Sequence, residues 1–336
     1  MELCKILSNL RMPKSWECCG LSGSTIYAQS FSEFISNLHE SDLVVVNGLE
    51  ATLRLCALFR LVPILRRPLV AVDVVLRRPD SPRSLLSVLV TRHLLQRVDY
   101  FLHYFRDLGG YQNYFGVTPE RSAYVSFKSN VRYRVAIRPN PDGEYVLCIG
   151  QSMRDYETFF EAIGTLPYPA AIPVPDFREL RRHRSRFTRS LNELPGNVSV
   201  LPDDKSQDSL LRILRGAKLV VLPILKSSLC ASGISLYLNS MLLGKCVLIS
   251  KGPGASDVLT DEAILVNPED PGALAQAIRR AWEDETLRRK TAASGYAYAL
   301  SLGGEPELYQ RILETAVHWY SHSASHRESM LMTRYS

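Results

Sequence analysis

The sequence predicts an α/β protein built from two doubly wound, Rossmann-like units in tandem. Three observations carry that prediction. From Asp42, short β-rich runs and longer helical runs alternate, in strict turn through the first series, and strands joined through helices are parallel strands with right-handed crossovers. The strand runs are continuously apolar, as strands buried on both faces require. The alternation lapses once, in "RVAIRPNPDGE" (134–144), where Pro, Asn, Asp and Gly have the chemistry of a linker. The boundary is therefore expected at Pro139, giving units at 1–139 and 140–304. A helix at 305–322 belongs to neither series and is expected to pack back on the first unit, followed by a polar tail, 323–336, that frays.

Each element has a local reason. "DLVVVNG" (42–48) reads as a buried strand ending in Asn-Gly, and "LEATLRLCALFRLV" (49–62) carries apolar residues at helical spacing. "RPLVAVDVV" (67–75) returns to strand character. "SPRSLLSVLVTRHLLQRV" (81–98) opens with a serine cap and a proline in the first turn, both helix-start signals. "DYFLHYF", "RDLGGYQNYFG" and "RSAYVSF" then read as strand, short helix and strand. In the second unit the order is strand "EYVLCIG", helix "DYETFFEAIGTL", strands "AAIPVP" and "NVSVLP", helix "SQDSLLRILRGA" and strand "KLVVLPI". A glycine-opened helix, strands "KCVLIS" and "AILV" and helix "PGALAQAIRRAWED" complete it.

Composition narrows the function classes. At 336 residues, 46% hydrophobic and 22% charged, the chain has the make-up of a globular protein with two cores. A net charge of +6 suits an acidic small ligand or an anionic membrane surface and is too small to argue for nucleic acid. The seven cysteines show neither metal-ligand spacing nor a disulfide framework, so reduced thiols and a cytoplasmic setting are expected. The N-terminus lacks a signal-peptide core, and no window reaches the roughly 18 apolar residues of a spanning helix. Any membrane contact is then peripheral.

The candidate binding residues cluster around "SSLCASGISLYLNSMLLGKCVLIS" (227–250). Gly233, Ile234 and Ser235 would present free backbone N–H groups at the positive end of a helix dipole, a setting for a phosphate; the alternative is a Ser232 cap with a glycine placed for packing. Arg154 and Lys226 fall on loops at the carboxyl ends of strands, where open α/β sheets bind ligands, and both side chains suit phosphate oxygens. In the first unit Asp73 ends one strand and His103 lies in the next, and either could act as base or orienter. The arginine-rich run 178–190 is expected as a solvated helix. The 81–98 helix is read first as core-facing and second as resting on a membrane.

The second unit resembles the GT-B glycosyltransferases, in particular the retaining, nucleotide-sugar-dependent group 1 (family 4) type. The resemblance rests on four motifs in order over about 144–282: "VLCIGQSMRDYETFFEAI", "SQDSLLRILRGAKLVVLP", "SGISLYLNSMLLGKCVL" and "GPGASDVLTDEAILVNPEDPGALAQAI". The family usually places two glutamates around the third motif, and here those positions hold Ala231 and Asn239. The resemblance implies two domains facing a cleft, with the acceptor on the first domain and a nucleoside-diphosphate sugar, a UDP-sugar, on the second. It implies donor contacts at Arg154, Lys226, Ser232, Gly233, Ile234, Ser235, Asn239 and Asp257, with Asn239 at the ribose and Asp257 near the sugar. It implies no metal and no cofactor, hexosyl transfer to a glycan, lipid-linked or small-molecule acceptor, and no nucleic-acid partner. The missing glutamates also leave room for a non-catalytic sugar-nucleotide-binding or partner protein, and the architecture for a sugar-nucleotide epimerase.

Overall fold

The computed structural model describes residues 4–130 and 142–332, with side chains described to residue 323. The chain forms two compact units, Met1–Ser126 with Pro306–Ser336, and Phe127–Glu305. Pro139, the expected boundary, lies outside the described residues.

In unit 1 a seven-stranded sheet runs β2(Ser15–Cys18), β3(Leu21–Tyr27), β1(Cys4–Ser8), β4(Leu43–Asn47), β5(Leu69–Val72), β6(Tyr100–His103), β7(Ser122–Tyr124). All neighbours are parallel except β2 with β3. The centre is apolar on both faces: Leu43, Val44, Val45, Val46, Leu69 and Val70 are fully buried. Helix α2(Leu49–Leu61) follows Gly48, whose φ is 92°. Helix α3(Pro82–Leu95) starts on the expected Ser81 cap, whose hydroxyl accepts from the Ser84 N–H, with Pro82 in its first turn. The N-terminal strands β1 to β3 are absent from the sequence expectation. Their hairpin turns on Cys19 and Gly20, both at positive φ, a primed turn made without the usual Asn-Gly signal.

The C-terminal helix α11(Glu305–Met332) belongs to unit 1 from Pro306 onward. Trp319 stacks on Tyr100 with centroids 5.3 Å apart, and Arg311 Nε donates to the Ser126 carbonyl at 3.2 Å. The helix continues through residues expected to fray.

In unit 2 a six-stranded parallel sheet runs β10(Val198–Leu201), β9(Ala170–Pro173), β8(Tyr145–Cys148), β11(Ala217–Leu222), β12(Cys246–Ser250), β13(Ile264–Val266). Strand order reverses between β8 and β11, and an open α/β sheet takes ligands at such a switch, beyond the strand carboxyl ends. Helices α5(Tyr156–Ile163), α7(Gln207–Gly216), α8(Ile234–Leu242) and α9(Pro271–Glu283) match expectation. The run 178–190 does not form one helix: α6 covers only Phe177–Arg182. Beyond it, Arg186 turns inward to a two-pronged pair with Asp155, at 2.8 and 2.6 Å, and Arg189 pairs with Glu157 at 2.8 Å. A further helix, α10(Glu285–Ser301), lies against α8 through Gly295, where a Cβ would come within 2.8 Å of Met241 Cγ.

Candidate functional site

The chemistry of unit 2 gathers at the carboxyl ends of β8, β9 and β11. After β8 the chain turns at Gly150, φ 120°, and presents Arg154. Arg154 is 1% exposed, an unusual place for a guanidinium. Its Nε donates to the Ile149 carbonyl and its Nη1 to the Ser152 carbonyl, each at 2.9 Å. Nη2 has no hydrogen-bond partner, and no carboxylate pairs with the group, among the described residues. Burial lowers its pKa, the signature of a cation held without its counter-charge. Asp155, next in sequence, gives its carboxylate to Arg186 and to the α5 cap at Thr158.

Gly233 faces this guanidinium. It caps α8 at φ 94°, and a Cβ there would lie 2.7 Å from Arg154 Nη2. A Cβ on Gly150 would lie 2.5 Å from Arg154 Nε. Both glycines are thus required for conformation and for room. Of the two readings of Gly233, packing and phosphate, the structure gives the packing one a partner, the Arg154 guanidinium. Because Gly233 is the cap, α8 has no side-chain cap, and the Ile234 and Ser235 N–H groups are left at a positive helix end. Ser232 is not the cap; its hydroxyl sits 2.9 Å from Ser228 Oγ.

Beside Gly150 opens a cavity of about 660 Å³, in the range of ligand sites, all of it lined by unit 2. Its walls are the ends of β8, β9 and β10, with Leu236 and Asn239 of α8 on one side. Asn239 is 4% exposed; its Oδ1 accepts from the Asn130 N–H at 3.2 Å. The cavity also holds residues that the motifs did not signal: Lys128, Asn130 and Lys205. Lys205 sits at φ 64°, its ammonium on Asp203 Oδ2 at 2.8 Å and the Val174 carbonyl at 3.0 Å. The only trace of this in sequence is the polar "DDKS" turn before α7.

The remaining unit 2 candidates stand further out. Lys226 is exposed on the loop after β11, its backbone N–H on Glu269 Oε1 at 3.2 Å. Asp257 Oδ1 accepts the Gly254 N–H at 2.7 Å, which holds the glycine turn. That turn packs tightly on Ala231, since a Cβ on Gly254 would fall 2.3 Å from Ala231 Cβ.

In unit 1 the structure brings Asp73 and His103 side by side. Val72 pairs with Leu102, and the Asp73 N–H donates to the Leu102 carbonyl at 3.0 Å. Asp73 adopts φ 49°, and burial raises its pKa to about 6. His103 is 1% exposed among the rings of Phe101, Phe105 and Tyr111, with centroids at 5.8, 5.2 and 5.4 Å. Neither ring nitrogen has a hydrogen-bond partner among the described residues, and burial lowers the pKa to about 4. The imidazole is neutral at neutral pH with its hydrogen-bonding capacity unused.

Comparison with known proteins bears on the fold and on the sequence pattern of the second unit. Residues 185–298 match the family model of glycosyl transferases group 1. No curated protein matches the chain. Among solved structures, Anabaena HepE in complex with UDP is similar at 19% identity, over 85% of this chain and 81% of that one, with a TM-score of 0.60. Sucrose-phosphate synthase from Thermosynechococcus elongatus is 16% identical over 95% and 89% of the two chains, TM-score 0.62. A trehalose-phosphate synthase from Burkholderia xenovorans, in complex with glucose-6-phosphate, is 12% identical over 94% and 100%, TM-score 0.60. The fold is GT-B, two Rossmann-like units with the C-terminal helix returning to the first, and its second unit carries the group 1 glycosyltransferase sequence pattern.

Proposed function

We propose that this chain is a glycosyltransferase that takes a hexosyl group from a UDP-sugar and delivers it to an acceptor hydroxyl. The observation that carries the reading is Arg154: a buried guanidinium with no carboxylate partner among the described residues, packed between the glycine-opened helix start at Gly233 and Gly150, the latter lining a cavity of about 660 Å³. A diphosphate supplies the missing counter-charge. In this reading its oxygens meet Arg154 Nη2 and the Ile234 and Ser235 N–H groups, with Lys226 closing on it from the exposed loop. The nucleoside enters the cavity, where Asn239 meets the ribose. HepE, of the same fold, is in complex with UDP, which supports the choice of nucleotide.

The reaction breaks the bond from the anomeric carbon to the β-phosphate oxygen and forms one from that carbon to the acceptor oxygen, whose proton must leave. Negative charge grows on the departing diphosphate, so positioned cationic and N–H donors supply the main stabilisation. Among the described residues no three His, Cys, Asp or Glu side chains converge as metal ligands; the reading assigns the leaving-group charge to Arg154 and the α8 amides, without a metal or cofactor. Asp73, raised to about 6 by burial, suits the acceptor proton. His103, neutral and unpartnered, suits a hydrogen bond to the transferring sugar or the acceptor. The seven cysteines form no disulfide, which supports a cytoplasmic setting.

A thermal-shift series with UDP, UDP-glucose and uridine tests the donor. A ligand present at 100 times its Kd stabilises the folded state by about 2.7 kcal/mol, so UDP should raise the melting temperature by several degrees. No shift with any nucleoside diphosphate would overturn the reading. Ala231 and Asn239, standing where the family has glutamates, favour one second reading, a protein that binds the donor without transferring it. Donor binding with no hydrolysis or transfer to any acceptor would select it.

A further inference from the structure

Helix α3 of unit 1 exposes an apolar surface that the donor and acceptor chemistry does not use. Of its fourteen residues only Val88 and Leu95 are buried, while Leu85, Leu86, Leu89 and Val90 are 49%, 65%, 54% and 54% exposed. At about 100° per residue these four span a stripe of about 140°, centred roughly opposite the two buried residues. Arg83 and Arg92 fall about 20° outside either edge of that stripe. The end of α2 continues the surface. Leu61 is 82% exposed and Ile64 84%, and Arg60 of α2 hydrogen-bonds both the ring and the carbonyl of His93 on α3 at 3.3 Å. The sequence reads first as a core-facing helix here; its burial contradicts that, since the apolar residues Leu85, Leu86, Leu89 and Val90 face water.

Charge identifies what covers this face. Residues 50–99 hold nine arginines against three aspartates and one glutamate, a net of +5 of the whole chain's +6, with Arg54 paired to Glu50 and Arg66 to Asp99. Most of the positive excess of the protein is therefore in the segment that carries the apolar stripe, and α3 itself has no acidic residue. An apolar stripe edged by arginines is the pattern of a helix lying in a bilayer interface, its apolar face in the acyl boundary and its cations among anionic headgroups. A protein partner or a second copy would need a matched acidic surface, and this chain outside 50–99 is close to neutral, with a net of +1. No helix among the described residues is long and apolar enough to cross a membrane, so contact through α3 is with the surface only.

We infer that unit 1 docks on an anionic lipid surface through the exposed face of α3 and the end of α2. This holds or fails independently of the donor reading, because none of these residues lies at the nucleotide cavity.

Co-sedimentation of the full chain with phosphatidylcholine vesicles, and with phosphatidylcholine–phosphatidylglycerol vesicles at about 3:1, tests it. Binding is expected to the mixed vesicles and to be strongly weakened on them in about 0.5 M salt, where screening shortens the reach of the arginines. Leu86→Glu with Leu89→Glu should weaken partitioning by about tenfold or more, and Arg83→Gln with Arg92→Gln by about fivefold per arginine. Both pairs lie on exposed positions, so melting temperature and UDP response should match the parent. Equal partitioning onto the two vesicle types, or unchanged partitioning of the Leu86/Leu89 variant, overturns the proposal. So does a concentration-dependent dimer that the same variant abolishes, which would assign the face to a second copy.

Discussion

Under the proposed function, Arg154 serves ligand and fold in opposite senses. A guanidinium buried without a carboxylate costs stability, and its replacement by an apolar side chain of similar length commonly offsets that cost. Arg154→Met is expected to leave the ligand-free protein as stable as the parent or more so, by about 1 kcal/mol, as measured by chemical denaturation. A large loss of stability would instead make Arg154 a structural cation. Asp73 predicts a pH dependence. Its pKa is raised by burial from 3.8 to about 6, so the folded state holds the proton more tightly and gains stability below pH 4 that is lost as pH rises through 6. Asp73→Asn keeps a residue that accepts the positive φ and should be more stable than the parent above pH 6 by about 1 kcal/mol, allowing for partial exposure. If Asp73 takes the acceptor proton, turnover rises through the same pH range and the Asn variant loses it. His103 has the opposite sign. Its pKa is lowered to about 4, so stability present above pH 6.5 is lost as pH falls towards 4. His103→Phe, completing a ring cluster, should remove that acid sensitivity while reducing transfer; full transfer activity would confine His103 to packing.

At the scale of elements, most of the architecture was legible because its signals are local. The α3 start at Ser81-Pro82, the Asp155 cap of α5 and the continuous apolar strands follow from residue chemistry alone. What was not legible depended on distant partners. The run 178–190 reads as a charged helix until Asp155 and Glu157 draw in Arg186 and Arg189. Helix α10 has a glycine at 295 that makes sense only against Met241. The α8 cap was ambiguous for the same reason, since nothing local says that the neighbour of Gly233 is a guanidinium. Gly233→Ala should therefore act through Arg154: the new Cβ displaces the guanidinium, and the αL conformation costs about 1–2 kcal/mol. UDP affinity should fall by more than the melting curve alone implies. Lys245, fully buried, ties β12 to the end of α7 by donating to the Arg215 carbonyl at 2.7 Å. Its pKa is lowered to about 8 by burial, so its contribution makes stability rise between pH 8 and 10.5, and Lys245→Met should flatten that rise.

At the scale of the molecule, the two units divide the work that the reading requires. The cavity proposed for the nucleotide, Arg154 and α8 all lie within Phe127–Glu305, while Asp73, His103 and the α3 surface lie in the unit that the C-terminal helix joins. The sequence announced the second unit, the proposed donor half, through four ordered motifs, but said little of the first, the proposed acceptor half, because an acceptor leaves no general sequence pattern. A fragment spanning residues 127–305 should fold and bind UDP with near-parental affinity, because every wall of the cavity is its own. The most direct test of the donor site is calorimetric titration of UDP and of uridine into the parent and into Arg154→Met. The site described here predicts UDP binding weakened by about 1.5–3 kcal/mol, roughly ten- to hundredfold, by loss of a charge-assisted contact, with uridine binding unchanged. Equal weakening of both ligands, or UDP binding unaffected by the substitution, would contradict it.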